Sequence, residues 1–233
     1  MPNAFPNRQS GFTLVEIAIV LVIIGLLLGG VLKGQELINS AKMKNVINDF
    51  SSTTTAIYGY QDRYKALPGD DKGVTRWPDT AAFKFSTSLG DGNGLLNDAT
   101  AGAACAFTDS SGATDECYLF WVDLRQAGFI TGALASGPPQ NAYGGTTGVQ
   151  DGGDAFQTNG PGTGFKGAMI CVNNIPDKAA IAIDTQLDDG SPQTGSVRAI
   201  LQANATTVAT PLTTADAAYV ETGTNYYTLC KAL

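Results

Sequence analysis

Ser10-Gly11-Phe12-Thr13-Leu14-Val15-Glu16, followed by the apolar run Ile17–Leu32, decides how this chain is read. Ile17–Leu32 contains no polar side chain, and from Phe12 onward only Thr13, Glu16 and glycines interrupt the hydrophobicity. At about 1.5 Å rise per residue, Phe12–Leu32 spans about 31 Å as a helix, enough to cross a bilayer core. A secretory signal peptide would share the positive start and the apolar run. However, this run exceeds the usual ~7–15 residues of such a segment, lacks an Ala-x-Ala site after it and contains a charge. Arg8 and the amino terminus would stay on the cytoplasmic side, sending Lys33 and everything beyond it across the membrane.

Glu16 is the informative residue. A carboxylate inside an apolar span costs about 2.5–3.5 kcal/mol on insertion scales, so it needs a reason to be there. It could snorkel to the interface or be protonated. The other reading gives it a cationic partner, and no Lys or Arg lies between Arg8 and Lys33 to serve within the helix. A freed α-amine on a neighbouring copy would serve.

These residues resemble the processing site of type IV prepilins and type II secretion pseudopilins, where Gly, then Phe, then Glu head a transmembrane run. The resemblance covers about residues 10–65. It implies cleavage between Gly11 and Phe12 by prepilin peptidase, N-methylation of Phe12, and pairing of Glu16 with the Phe12 amine of an adjacent subunit. Such a pair neutralises a costly charge only when subunits stack in one register, so it would act as an assembly check.

Helical periodicity continues beyond the apolar run. Met43, Ile47, Phe50, Thr54 and Ile57 recur at three- and four-residue steps, and no proline lies between Pro6 and Pro68. One helix is therefore expected over 12–65, ended by Pro68-Gly69, with 12–32 as membrane and filament segment and the second half docked on a sheet. Gly25, Gly29, Gly30 and Gly34 form two small-xxx-small pairs that permit close helix approach.

Residues 66–233 form the expected globular domain, after a discarded leader at 1–11. Asp115–Gly128 reads as a short helix, and 134–164 as mostly loop because of its glycines. Strand candidates follow at Gly167–Val172, Ala179–Asp184, Val197–Gln202 and Tyr226–Cys230. A long amphipathic helix followed by short strands predicts an α+β fold, pilin-like, with an antiparallel sheet on the helix.

Composition narrows the chemistry. The 233 residues include no histidine, which removes histidine triads and HExxH zinc sites. Residues 1–84 carry a net charge of +2 and residues 85–233 carry −9, so the distal part would repel nucleic acid. No G-x-S-x-G, P-loop or dinucleotide fingerprint is present, and nothing points to an enzyme. Four cysteines lie in the part expected to be translocated, where an even count favours disulfides. Of three pairings, Cys105–Cys117 with Cys171–Cys230 is preferred, because the second bridge would pin the carboxy-terminal strand.

Asp91, Asn93 and Asp98 offer hard oxygen ligands at close spacing, but the fifth, sixth and twelfth places from Asp91 break the EF-hand pattern. A simple Asx/Gly turn and a calcium loop both remain open, and no other cofactor is expected. Asp188-Asp189-Gly190-Ser191 reads as a turn.

The resemblance thus implies a structural subunit of a pilus-like filament. Its expected partners are copies of itself, other pilins or pseudopilins, prepilin peptidase and an inner-membrane assembly platform. It would sit in the bacterial inner membrane with its carboxy-terminal domain in the periplasm before assembly into a pilus or pseudopilus. A pseudopilin of a secretion machine and a membrane-anchored periplasmic binding domain are the alternatives.

Overall fold

The computed structural model describes residues 13–97, 105–112, 115–153, 155–157, 163–202 and 215–233. Helix α1 runs Leu14–Tyr64, 51 residues without a break, as the absence of proline allows. The chain divides between Ala41 and Lys42 into two compact units.

The described part of the first unit is helix. Every Leu, Ile and Val from Leu14 to Leu32 is exposed, at 46–89% of full accessibility. It contains a helix long and apolar enough to cross a membrane. Lys33 and Glu36 form an exposed pair at 2.9 Å, one turn apart, where the apolar run gives way to polar sequence.

The second unit is α+β. Helix α2 spans Glu116–Gln126 and α3 spans Asp177–Leu187. The strands are β1 (Thr147–Asp151), β2 (Ala168–Pro176), β3 (Val197–Leu201) and β4 (Tyr226–Ala232). They form one antiparallel sheet in the order β1-β2-β4-β3.

Strand alternation sends successive side chains to opposite faces. On one face Ile170, Val172 and Leu229 join Val46, Phe50, Ile57 and Tyr60 of α1 and Phe120, Trp121 and Leu124 of α2 in the main core. On the other, Met169, Cys171 and Cys230 pack with Phe107, Phe156 and Phe165. Helix α2 is buried on two sides. Its remaining apolar groups, Tyr118, Leu119 and Val122, meet Val74, Phe83 and Phe85 in a third cluster. Asp115 caps α2 by accepting the Tyr118 N–H at 3.2 Å.

Two disulfides cross-link this unit. Cys105–Cys117 joins the segment before α2 to its first turn, and Cys171–Cys230 bridges directly opposed residues of β2 and β4.

One local expectation needs correction. Ala179–Asp184 is not a strand but the middle of α3. Its buried residues Ala179, Ala180, Ile183 and Asp184 follow helical steps, and alanine is the strongest helix former. The glycine-rich stretch 134–164 is mostly loop among its described residues, as expected, and within it lies β1, whose Gly148 lies against the backbone of Phe107 with no room for a Cβ.

Candidate functional site

The start of α1 is held by its own side chains. Thr13 is the residue before the first helical position, where a hydroxyl can satisfy a free backbone amide. Its Oγ1 accepts the Glu16 N–H at 3.2 Å. Glu16 Oε2 accepts the Thr13 N–H at 2.8 Å and the Thr13 hydroxyl at 2.9 Å. This is a capping box, in which Thr and the Glu three residues later satisfy each other reciprocally. Both residues are exposed.

Thr-x-x-Glu is a capping signature legible in the sequence, and Thr13 is a partner for Glu16 that a search for a cation alone misses. Hydrogen bonding inside the chain thus occupies one carboxylate oxygen without neutralising the charge. Gly11 and Phe12 lie outside the described residues. Gly25, Gly29, Gly30 and Gly34 have open space where a Cβ would be, so close approach of another helix meets no obstacle there.

The acidic loop near Asp91 is organised as a turn closed by its own side chains. Asp91 Oδ1 and Oδ2 accept the backbone and side-chain N–H groups of Asn93 at 2.9 and 2.8 Å. Asn93 Oδ1 is turned to the Leu95 N–H at 2.7 Å, which forms an Asx turn. Asp98 lies outside the described residues.

The residues that join Asp91 are Asp70 and Glu116, with one carboxylate oxygen of each within 4.8 Å of the others. Sequence spacing could not reveal them, because they lie 21 residues before Asp91 and 25 after it. Asp70 accepts the Asn93 and Gly94 N–H groups at 3.0 and 2.7 Å. Glu116 accepts those of Asp91 and Asn97, both at 2.9 Å. Burial, followed by the charges of Asp70 and Asp91, pushes the Glu116 carboxyl up to about 7. Burial also raises Asp70.

A second acidic group closes α3. Asp184, Asp188 and Asp189 each bring one carboxylate oxygen within 4.8 Å of the others. Asp184 is fully buried, and burial, then Asp189 and Asp188, pushes its carboxyl up to about 6.

Residues 6–32 match the family model described as the prokaryotic N-terminal methylation motif. Among solved structures the chain is similar to a type IV b pilin from Salmonella typhi. That similarity has 18% identity over 80% of this chain and 95% of that one, with a TM-score of 0.32. Comparison with curated proteins found no match. The motif stands at the head of an exposed apolar helix, in a chain whose body is a small α+β domain with two disulfides. What is shown is a prokaryotic N-terminal methylation motif at the start of an exposed apolar helix.

Proposed function

We propose that this chain is a structural, non-enzymatic subunit of a type IV pilus-like filament. The observation that carries the reading is the first unit: a helix whose apolar residues are exposed on every side, headed by the methylation motif. Such a surface is stable only in lipid or against other helices. The subunit therefore waits in the inner membrane with its domain in the periplasm. Prepilin peptidase then cuts between Gly11 and Phe12, and the new Phe12 amine is methylated.

In the filament the Glu16 carboxylate pairs with the Phe12 amine of an adjacent copy. Glu16 enters that pair already oriented by Thr13, through hydrogen bonds that leave its second oxygen, Oε1, for the incoming cation. Other pilins and the membrane assembly platform are the remaining partners.

Mass spectrometry of the native protein tests processing. The mature chain should begin at methylated Phe12, and an intact Met1 terminus would sink the proposal. Loss of surface filaments in a deletion strain separates a pilus role from that of a secretion pseudopilin, where a secretion defect appears instead.

A further inference from the structure

A cavity of about 150 Å³ lies among α1, α2 and β1. Asp49, Ser52 and Thr53 stand at helical steps of three and four along the α1 wall, and Trp121 and Arg125 at a step of four along the α2 wall. Thr147, the first residue of β1, lines it beside them. Thr53, Trp121 and Thr147 are buried whereas Ser52 is exposed, so the cavity runs from the surface into the domain. Three of these side chains hold a polar atom that is shut off from solvent and has no hydrogen-bond partner among the described residues: Trp121 Nε1, Arg125 Nε and Thr147 Oγ1. The two nitrogens can only donate, and the hydroxyl can donate or accept. Native structures satisfy nearly all such groups, so three around one hollow mark a missing partner.

The charges of the lining are as incomplete as its hydrogen bonds. Arg125 spends Nη1 and Nη2 on the carbonyl oxygens of Ser136 and Gly137. Those bonds anchor the guanidinium without neutralising it, and among the described residues no carboxylate forms an ion pair with it. Burial lowers its pKa. The half-buried Asp49 carboxylate receives no hydrogen bond from the described residues, and burial alone raises its pKa. A cation and an anion thus line one cavity without meeting. Each is costly to bury alone, and a molecule with the opposite charge at either end would relieve both.

We propose that this cavity binds a small zwitterion, an α-amino acid no larger than serine, with its ammonium on Asp49 and its carboxylate on Arg125 Nε and Trp121 Nε1. Two N–H donors, one of them charged, match the two oxygens of a carboxylate. The volume sets the size, since it lies below the ~300 Å³ at which sites for drug-sized ligands begin. A neutral sugar would use the hydroxyls and leave both charges uncompensated. A simple carboxylate would set a second anion against Asp49. Water alone would fill the hollow and neutralise neither charge.

The test uses the full-length chain in detergent micelles, titrated with glycine, L-alanine and L-serine by calorimetry and followed by thermal melting. We expect one molecule bound per chain and a rise in Tm with at least one of the three. Acetate, methylammonium and D-glucose, which each supply part of the required chemistry, should give neither. Asp49→Asn removes the anion and should weaken binding by at least about tenfold. Thr147→Val replaces only the hydroxyl by a methyl and should weaken it by about threefold. Asp62→Asn, an exposed change on the same helix, should leave it unaltered. Several results overturn the proposal: no heat and no melting shift with any of the three amino acids, an equal response to acetate or glucose, or undiminished affinity in both Asp49→Asn and Thr147→Val.

Discussion

The Tyr60 hydroxyl donates a 2.7 Å hydrogen bond to Asp71 Oδ2, joining the last turns of α1 to the segment that follows it. Arg76 grips the same carboxylate, with Nη1 and Nη2 at 2.8 and 2.9 Å from Oδ2. Its guanidinium also lies over the Tyr64 ring, 4.6 Å from the centroid. The buried acid is thus held by three donors, Tyr60, Arg76 and the Gly73 N–H at 2.6 Å from Oδ1, and the two side chains carry separable shares. Tyr60→Phe should lower stability by about 2 kcal/mol, because it leaves the charged acceptor with one donor fewer. Arg76→Ala should cost more, about 3 kcal/mol, because the acid then stays buried without a cation. Urea unfolding of the two variants checks the order.

The capping box allows the capping role of Glu16 to be separated from its proposed charge pairing. Gln serves the capping position almost as well as Glu but carries no charge. Glu16→Gln should therefore retain membrane insertion and the helix start while losing filament incorporation. Thr13→Ala should do the reverse in part, with about 1 kcal/mol of helix-start stability lost and the charge kept. Incorporation of tagged subunits into sheared filaments is the readout, and normal incorporation of Glu16→Gln would remove the charge-pairing role.

Glu116 gives stability an unusual pH dependence. Its carboxyl titrates at about 7 in the folded chain against an ordinary value of 4.5. Between those values the folded state keeps a proton that the unfolded chain has released, so stability falls as pH rises through the window. The contribution is complete below about pH 4.5 and gone above about pH 7. Unfolding free energy measured across that range should slope downward, and Glu116→Gln should reduce the slope by about one proton.

The two disulfides should differ in worth. Their sequence separations are 12 residues for Cys105–Cys117 and 59 for Cys171–Cys230. On the chain-entropy account the longer loop stabilises by about 1.4 kcal/mol more. Replacing Cys171 and Cys230 together by Ala should thus lower the urea midpoint more than replacing Cys105 and Cys117.

Gly69 occupies a place only glycine fits. Its φ is +85°, and a Cβ would lie 2.3 Å from the Glu116 carbonyl oxygen. Its N–H donates to the buried Asp123 Oδ2 at 2.8 Å. Gly69→Ala combines backbone strain with a clash and should cost over about 2 kcal/mol in the same unfolding assay.

These features were not equally legible in the sequence. Helix α1 could be read because a proline-free apolar stripe over fifty residues has few alternatives, and Pro68-Gly69 marks where it stops. Helix α3 was misread because Ala-Ala-Ile-Ala-Ile alternates weakly, and alanine fits either face of either period. Strand β1 was hidden because Val149 is its only large apolar residue; its place comes from pairing with β2, a tertiary fact. The same reason concealed Glu116 and Asp184. Their interest lies in what surrounds them after folding, and neither stands in a local motif.

The strand order has a consequence in time. Residues 226–232, made last of the four strands, lie between β2 and β3 rather than at a margin. While the chain emerges, those two strands have no common neighbour, and their unpaired backbone groups stay open to any passing segment. Cys105 and Cys117 can find each other early, but Cys171 must wait as a free thiol for Cys230. Maturation of this domain therefore has a built-in delay. A message truncated before residue 226 would yield a chain that keeps the whole of α1 and cannot finish its own sheet.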